Sequence, residues 1–395
     1  MDDLGKRLDT ATAHLDPPLA VVDLDAFDAN AEDLLRRAGG VPIRVASKSV
    51  RCRDLVARAL SRPGFAGVLA FSLREAIWLV RTGTTHDVVV AYPTSDRAAL
   101  AELAADDELR AAIAIMVDDE AQVAMAAKAV SDTGNTLAEQ PLRLCLDIDS
   151  SLRIGPLHLG VRRSPLRTPD DAARLTRSAS RQPGLRVVGV MFYEAQVAGL
   201  PDRNAGVRLV KRRSLADLAT RRAAVVDAVA GASEHPLELV NGGGSGSLEA
   251  TAADRAVTEL TAGSGLYCPT LFDGYRAFVP RPAAWFALSV TRRPAPDIAT
   301  CFGGGYIASG PTGKTRQPLP VAPAGLKLLG AEGAGEVQTP VRGKAAASLQ
   351  VGDRVWFRHA KAGELCERFD ALQLVQGTRV VGTAPTYRGE GQTFG

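Results

Sequence analysis

The sequence predicts a (β/α)8 barrel of the TIM type followed by a C-terminal antiparallel β domain, on three observations. Short apolar segments alternate with amphipathic helical ones so that eight candidate strands fall between Ile43 and Leu260. Polar residues gather at the C-terminal end of those apolar segments, and beyond Val279 the chain becomes dense in Pro and Gly. Strand-then-helix repetition implies parallel strands, because a crossover of a dozen or more residues returns the chain to the same end of the sheet. Eight such units close a barrel, whereas an open doubly wound sheet usually has fewer.

Taken in order, Pro18–Asp23 reads as a strand and Ala26–Ala38 as a helix with Asp25 as its cap. The eight barrel strands are expected at Ile43–Ser47, Gly67–Phe71, Asp87–Ala91, Ala112–Val117, Leu142–Ile148, Leu185–Phe192, Pro236–Val240 and Thr258–Leu260. Between them Ser72–Thr82, Ser95–Ala105, Glu120–Val130, Pro169–Ser180 and Ser214–Val229 carry apolar residues at helical spacing. The polar strand ends are Lys48, Ser72, Thr94, Asp118, Asp149, Tyr193 with Glu194, Asn241 and Ser264, and in such a barrel they converge on the active-site mouth. Past Val279 the short apolar runs Trp285–Thr291, Val355–Phe357, Leu372–Val375 and Thr378–Val381 read as antiparallel strands joined by turns. The expected division is 1–25 as an N-terminal segment, 26–278 as the barrel and 279–395 as the β domain.

Composition narrows the function. With 47 basic against 44 acidic residues in 395, nothing suggests a nucleic-acid or membrane-surface footprint, and small anionic ligands remain. Five scattered cysteines, Cys52, Cys145, Cys268, Cys301 and Cys366, have no C-x-x-C spacing, which argues against a disulfide framework or structural zinc and fits a reducing compartment. The N-terminus lacks the apolar core of a signal peptide, and no apolar run reaches the roughly 18 residues a membrane span needs, so the expectation is cytoplasmic.

The chemistry starts at I-R-V-A-S-K-S-V, where Lys48 ends the first expected barrel strand. An ammonium in a strand interior must be paired, hydrated or neutralised, so Lys48 reads either as a solvated strand end or as a Schiff-base lysine. Two glycine-rich loops favour the second. N-G-G-G-S-G-S (Asn241 to Ser247) and A-G-S-G-L-Y (Ala262 to Tyr267) follow the seventh and eighth strands, where such barrels bind phosphate through backbone N–H groups. D-I-D-S-S-L-R-I-G places Arg153 near the fifth strand's end, either facing the mouth or paired on the surface with Asp147 or Asp149. F-Y-E-A-Q puts Tyr193 and Gln196 after the sixth strand, where a tyrosine can pack on a planar cofactor or form ordinary rim.

His14, His86, His158 and His235 sit in loop-like or terminal contexts, where solvation explains them. His359 follows an apolar strand, with Lys361 two residues on; an extended backbone would send both side chains to one face, biasing the imidazole towards its neutral form. A-S-G-P-T-G-K-T (Ala308 to Thr315) fits a permissive nucleotide-binding P-loop, but T-R-Q-P-L-P-V-A-P after it cannot be the helix that loop requires.

With these residues placed, the chain resembles the fold-type III pyridoxal-phosphate enzymes, and within them the D-threonine aldolase and D-serine dehydratase group more than alanine racemase. The resemblance runs through P-L-A-V-V-D-L-D, R-V-A-S-K, D-I-D-S-S-L-R-I-G, G-V-M-F-Y-E-A-Q, N-G-G-G-S-G and V-G-D-R-V-W-F-R-H-A-K. It implies that Lys48 carries pyridoxal 5'-phosphate, that Arg153 contacts the cofactor ring's polar groups, and that Asn241, Gly243, Gly244 and Ser245 with Ser264, Gly265 and Tyr267 surround the phosphate. It further implies that the strand near Val21 joins the C-terminal β domain, and that this domain completes the site, usually in a homodimer.

Two departures qualify it. Where the group has a metal-binding cysteine or aspartate two residues after the C-terminal histidine, this chain has Lys361, which cannot ligate; a divalent metal is therefore doubtful, with His359 its only expected ligand. Where the group often has a Gly-His pair, this chain has Ala195 and Gln196. The expected activity is cleavage or formation of the Cα–Cβ bond of a β-hydroxy-α-amino acid, of D configuration by resemblance, with Lys48, His359, Lys361 and Gln196 as catalytic candidates. The alternatives are dehydration with deamination of the same substrates, racemisation with Tyr306 as a second base, and a non-catalytic pyridoxal-phosphate carrier.

Overall fold

The computed structural model describes residues 2–134, 140–202, 204–276 and 278–394; Met1 and Gly395, the outer ends of the expected N-terminal segment and β domain, lie outside them. The chain forms two compact units, one of residues 34–48, 56–263 and 394–395, the other of residues 1–33, 49–55 and 264–393.

The first unit is a closed barrel of eight parallel strands: Ile43–Ala46, Phe65–Ala70, Val88–Val90, Ile113–Val117, Leu142–Asp147, Leu185–Phe192, Leu239–Gly242 and Glu259–Ala262. Each pairs with the next in sequence, and Leu260 opposite Ile43 closes the circle. The strands form because both faces are apolar: Val89, Ala114, Met116, Cys145, Val188, Met191 and Leu239 fill the interior, while residues such as Val90, Ile115 and Leu144 meet the helices outside. Arg44, inside at 3 % exposure, is held by Glu259 and Asp87, a buried charge tolerated because it is paired on both sides.

The helices start where capping side chains stand. Ser72 accepts the Glu75 N–H ahead of Leu73–Arg81, Asp119 caps Glu120–Ser131, and Thr168 with Asp171 forms a reciprocal capping box before Pro169–Ser180. Asp96, one residue after the expected Ser95, caps Arg97–Ala105. The last long helix runs Ala205–Ala232, 28 residues, beginning at the Asn204 cap rather than at Ser214, because Val207, Leu209 and Val210 in its first turns make no clear apolar stripe. A short ribbon, Leu152–Ile154 with Leu157–Leu159, follows the fifth strand and was not expected.

The second unit is a nine-stranded sheet. Its path runs Lys327–Leu328, Gln338–Arg342, Ile298–Phe302, Ala284–Ala295, Leu19–Asp23, Ala371–Gln376 and Arg379–Pro385; Arg354–Arg358 pairs with Ala284–Ala295 and with Leu319–Ala322. The N-terminal strand is inserted as expected, antiparallel to Ala284–Ala295 and parallel to Ala371–Gln376. Helix Asp2–Ala11, absent from the sequence expectation, buries Leu8 and Ala11 against Trp285 and Trp356, whose indole donates to Asp9 at 2.8 Å. The cap of helix Leu24–Ala38 is Asp23, not Asp25: Asp23 accepts the Ala26 N–H at 3.1 Å, while Asp25 accepts from Gln376 and the Gly377 N–H. The P-loop-like stretch ends in a three-residue turn, Lys314–Arg316, and leads to strand Leu319–Ala322. No helix among the described residues is long and apolar enough to cross a membrane.

Candidate active site

In the barrel unit the first strand stops at Ala46, and the short turn Ser47–Ser49 presents Lys48, exposed, at the C-terminal mouth. Its Nζ donates to the Tyr92 hydroxyl at 2.8 Å and lies 5.4 Å from that ring's centre. The Arg163 guanidinium sits 5.5 Å from the Tyr92 ring and 5.6 Å from the Tyr193 ring, a cation between two aromatic faces. Burial alone would raise the Tyr92 hydroxyl, but Lys48 and Arg163 outweigh it and bring the pKa below the ordinary tyrosine value. Tyr193 moves the other way, raised by burial and by Tyr92.

Two carboxyl groups stand at the ends of the fourth and fifth strands. Burial, then the neighbouring Asp118, pushes Asp147 up to about 7, with Arg163 opposing; Asp118 is likewise raised by burial. Neither Tyr92 nor Arg163 nor Asp147 stood among the expected site residues. Tyr92 lies two residues past the third strand as Lys48 lies two past the first, which is the signal available; Arg163, in V-R-R-S, carries none.

Arg153 lies on the ribbon with its side chain 46 % exposed, paired to Asp149 at 2.6 Å, the surface-pairing alternative. Burial raises Asp149, but Ser151, Arg153 and Arg167 outweigh it and hold the carboxyl low. Gln196, 5 % exposed, donates to the Ser150 carbonyl at 2.6 Å while its Oε1 has no partner. Asn241 points its amide at Glu259 and Thr261, both of the eighth strand.

The loop after the seventh strand is built for close approach. Gly243 has φ +82°, open to glycine, and a Cβ on Gly244 would lie 2.8 Å from Ala198 Cβ. Ser245 is buried and its carbonyl accepts from Arg37 at 2.8 Å.

The β unit holds the remaining candidates. Ser264–Tyr267 is one helical turn; Tyr267, fully buried, donates its hydroxyl to the Val50 carbonyl at 2.9 Å, and burial carries its pKa well up. His359 is 3 % exposed, edge-on to Tyr267 at 6.2 Å, and neither ring nitrogen has a hydrogen-bond partner. Burial first, then Arg358, lowers its pKa to about 3, with the Ala284 backbone opposing, so the ring is neutral. The expectation that Lys361 does this on a shared strand face is corrected: the strand ends at Arg358, Lys361 turns out to solvent and donates to Ser309 Oγ at 2.7 Å. The two still line one cavity of about 160 Å³, with Tyr306, Glu364 and Arg368.

A parallel eight-stranded barrel with an amine at the first strand's end, a glycine loop after the seventh strand and an N-terminal strand returned to a β unit defines the fold-type III pyridoxal-phosphate enzymes. The chain belongs to the alanine racemase N-terminal domain family, whose sequence model matches residues 22–270. It is 27 % identical over 294 residues to a D-threonine aldolase of Arthrobacter sp, covering 72 % of this chain and 70 % of that one. Among solved structures it is similar to D-threonine aldolase from Filomicrobium marinum, with TM-score 0.78 and 21 % identity over 95 % of this chain and 96 % of that one. D-threo-3-hydroxyaspartate dehydratase from Delftia sp. HT23 aligns at TM-score 0.71 and 22 % identity over 95 % and 98 %.

The residues fit pyridoxal phosphate: the barrel mouth offers an amine, a loop that a single Cβ would crowd, and a buried amide oxygen without a partner. They do not fit a divalent metal, since among the described residues no three His, Cys, Asp or Glu side chains are grouped to hold one, and the side chain two residues past His359 is an ammonium.

Proposed function

We propose that this chain is a pyridoxal-phosphate-dependent lyase of β-hydroxy-α-amino acids that breaks the Cα–Cβ bond. The observation that carries the reading is His359: a buried, neutral imidazole with two unpartnered nitrogens, opening on a cavity it shares with Lys361. A base that must accept a hydroxyl proton needs a free lone pair, and a neutral imidazole with no partner on either nitrogen has one. Pyridoxal phosphate, when bound, supplies a ring that accepts the electrons released at the substrate's α-carbon.

The chain's own groups do the rest. Lys48 binds the cofactor and, released, moves a proton at Cα, with the Tyr92 hydroxyl orienting its amine. The 243–247 loop holds the phosphate, and Tyr193 bears on the ring. His359 takes the β-hydroxyl proton, Lys361 supplies positive charge where a metal would otherwise stand, and Gln196 offers its unpartnered Oε1 to the substrate. The relatives named aldolase and dehydratase support the substrate class, and the family supports a homodimer acting on a small amino acid.

A second reading, loss of the β-hydroxyl as water followed by deamination, is favoured by the ammonium of Lys361, which can protonate a departing hydroxyl in the same cavity. The purified yellow protein is given D- and L-β-hydroxy amino acids, and aldehyde, glycine and ammonia are measured separately. Aldehyde with equimolar glycine establishes the aldolase; ammonia without glycine establishes the dehydratase; neither product sinks both.

A further inference from the structure

Glu194 is 0 % exposed and takes no part in the proposed reaction. Its carboxylate accepts the Gly243 N–H at 3.1 Å through one oxygen, and the hydroxyls of Ser247, at 3.3 Å, and Thr251 through the other. Ser247 Oγ in turn meets the Gly244 N–H at 3.2 Å. Three donors from the loop and the helix it enters therefore converge on a single side chain two residues past the neighbouring sixth strand. Arg222, 2 % exposed, stands 3.9 Å from the carboxylate and shares its one positive charge between Glu194 and Asp254. On the loop's other flank Arg37 grips the Ser245 carbonyl and Glu249.

Glycines confer close approach and also freedom, and an anion site made of backbone N–H groups works only when that freedom has been removed before the ligand arrives. We propose that Glu194 is a positioning residue that pre-sets the 243–247 loop for the phosphate of the cofactor, acting from behind the loop and touching no cofactor atom. This rests on the assignment of that loop to a phosphate. The carboxylate is needed because only an acceptor with two oxygens can take an amide N–H and two hydroxyls at once; glutamine supplies one oxygen and turns a donor towards donors.

The test compares two probes on full-length apoprotein: pyridoxal 5'-phosphate and pyridoxal, which lacks only the phosphate, each titrated by the absorbance of the lysine adduct. Glu194→Gln is expected to weaken pyridoxal phosphate by about tenfold or more, as loss of a hydrogen bond to a charged group does, and to leave pyridoxal within about twofold. Thr251→Val removes one donor without adding charge, and keeps the test open should Glu194→Gln fail to fold. It is expected to move the same ratio in the same direction by less. Equal weakening of both probes, no change in either, or tighter pyridoxal phosphate binding as a negative charge is removed overturns the proposal while the cofactor assignment stands. Wild-type protein that binds both probes alike overturns the phosphate assignment, and this proposal with it.

Discussion

Lys48 and Tyr92 meet at the mouth of the barrel, and they differ in how visible they are in the sequence. Lysine after a β-branched run is conspicuous, because an ammonium at a strand's end needs a reason; tyrosine in A-Y-P-T is not, since an aromatic beside a proline reads as turn. Arg153 had the more conspicuous motif and took the surface pairing with Asp149, whereas Arg163 reached the aromatic rings through a loop whose path no local pattern encodes. Borohydride reduction in the presence of pyridoxal phosphate is expected to label Lys48 and nothing in Lys48→Ala, read by peptide mass. Asp147 gives a pH test. Its folded pKa of about 7, raised mainly by burial, exceeds the unfolded carboxylate value, so the native state holds the extra proton between about pH 4 and 7 and loses stability as pH climbs through that window. Asp147→Asn should remove that loss: its Tm relative to wild type is expected to be higher at pH 8 than at pH 5, and a parallel pair of Tm-against-pH curves would show the carboxyl to be ionised throughout.

At the level of elements, caps and apolar period were legible together and failed together. Pro169–Ser180 keeps the bounds its apolar period predicts, and the Thr168–Asp171 capping box fixes its start; Thr168→Ala should cost about 1 kcal/mol in urea unfolding. The first nine residues of the long helix lie outside its expected bounds because V-R-L-V-K-R-R has no clear apolar stripe, and four of the β unit's strands carry no local signal because they are two to five residues long, two of them interrupted by Pro320 and Pro340. Their pairing comes from neighbours far along the chain, which local sequence does not record. The barrel strands carry a sharper constraint. A Cβ on Gly189 would lie 2.5 Å from both Leu239 Cγ and the Leu239 carbonyl of the adjoining strand. Gly189→Ala must therefore part the sixth and seventh strands, and is expected to cost about 1–3 kcal/mol with a lowered urea midpoint.

For the whole molecule, the rhythm of eight strand-helix units gave the barrel, because parallel strands buried on both faces leave a continuous apolar signature. The insertion of Leu19–Asp23 beside Ala284–Ala295 came only through the family resemblance, since no local pattern links residues so far apart. Two residues past His359, where the family resemblance leads one to expect a metal ligand, stands the ammonium of Lys361, and both nitrogens of the imidazole are unpartnered. A neutral imidazole alone is a weak trap for a divalent ion, and a nearby positive charge repels one. Turnover of β-hydroxy amino acids is therefore expected to persist, within about twofold, after exhaustive dialysis against chelator, with metal analysis finding far less than one ion per chain. Lys361→Met should then lower kcat about ten- to a hundredfold, the scale on which one charged group aimed at a developing charge acts, while the cofactor absorbance band stays unchanged. Activity that chelation removes and zinc or manganese restores, or a Lys361→Met enzyme as fast as wild type, would return the role of electrophile to a metal held through His359.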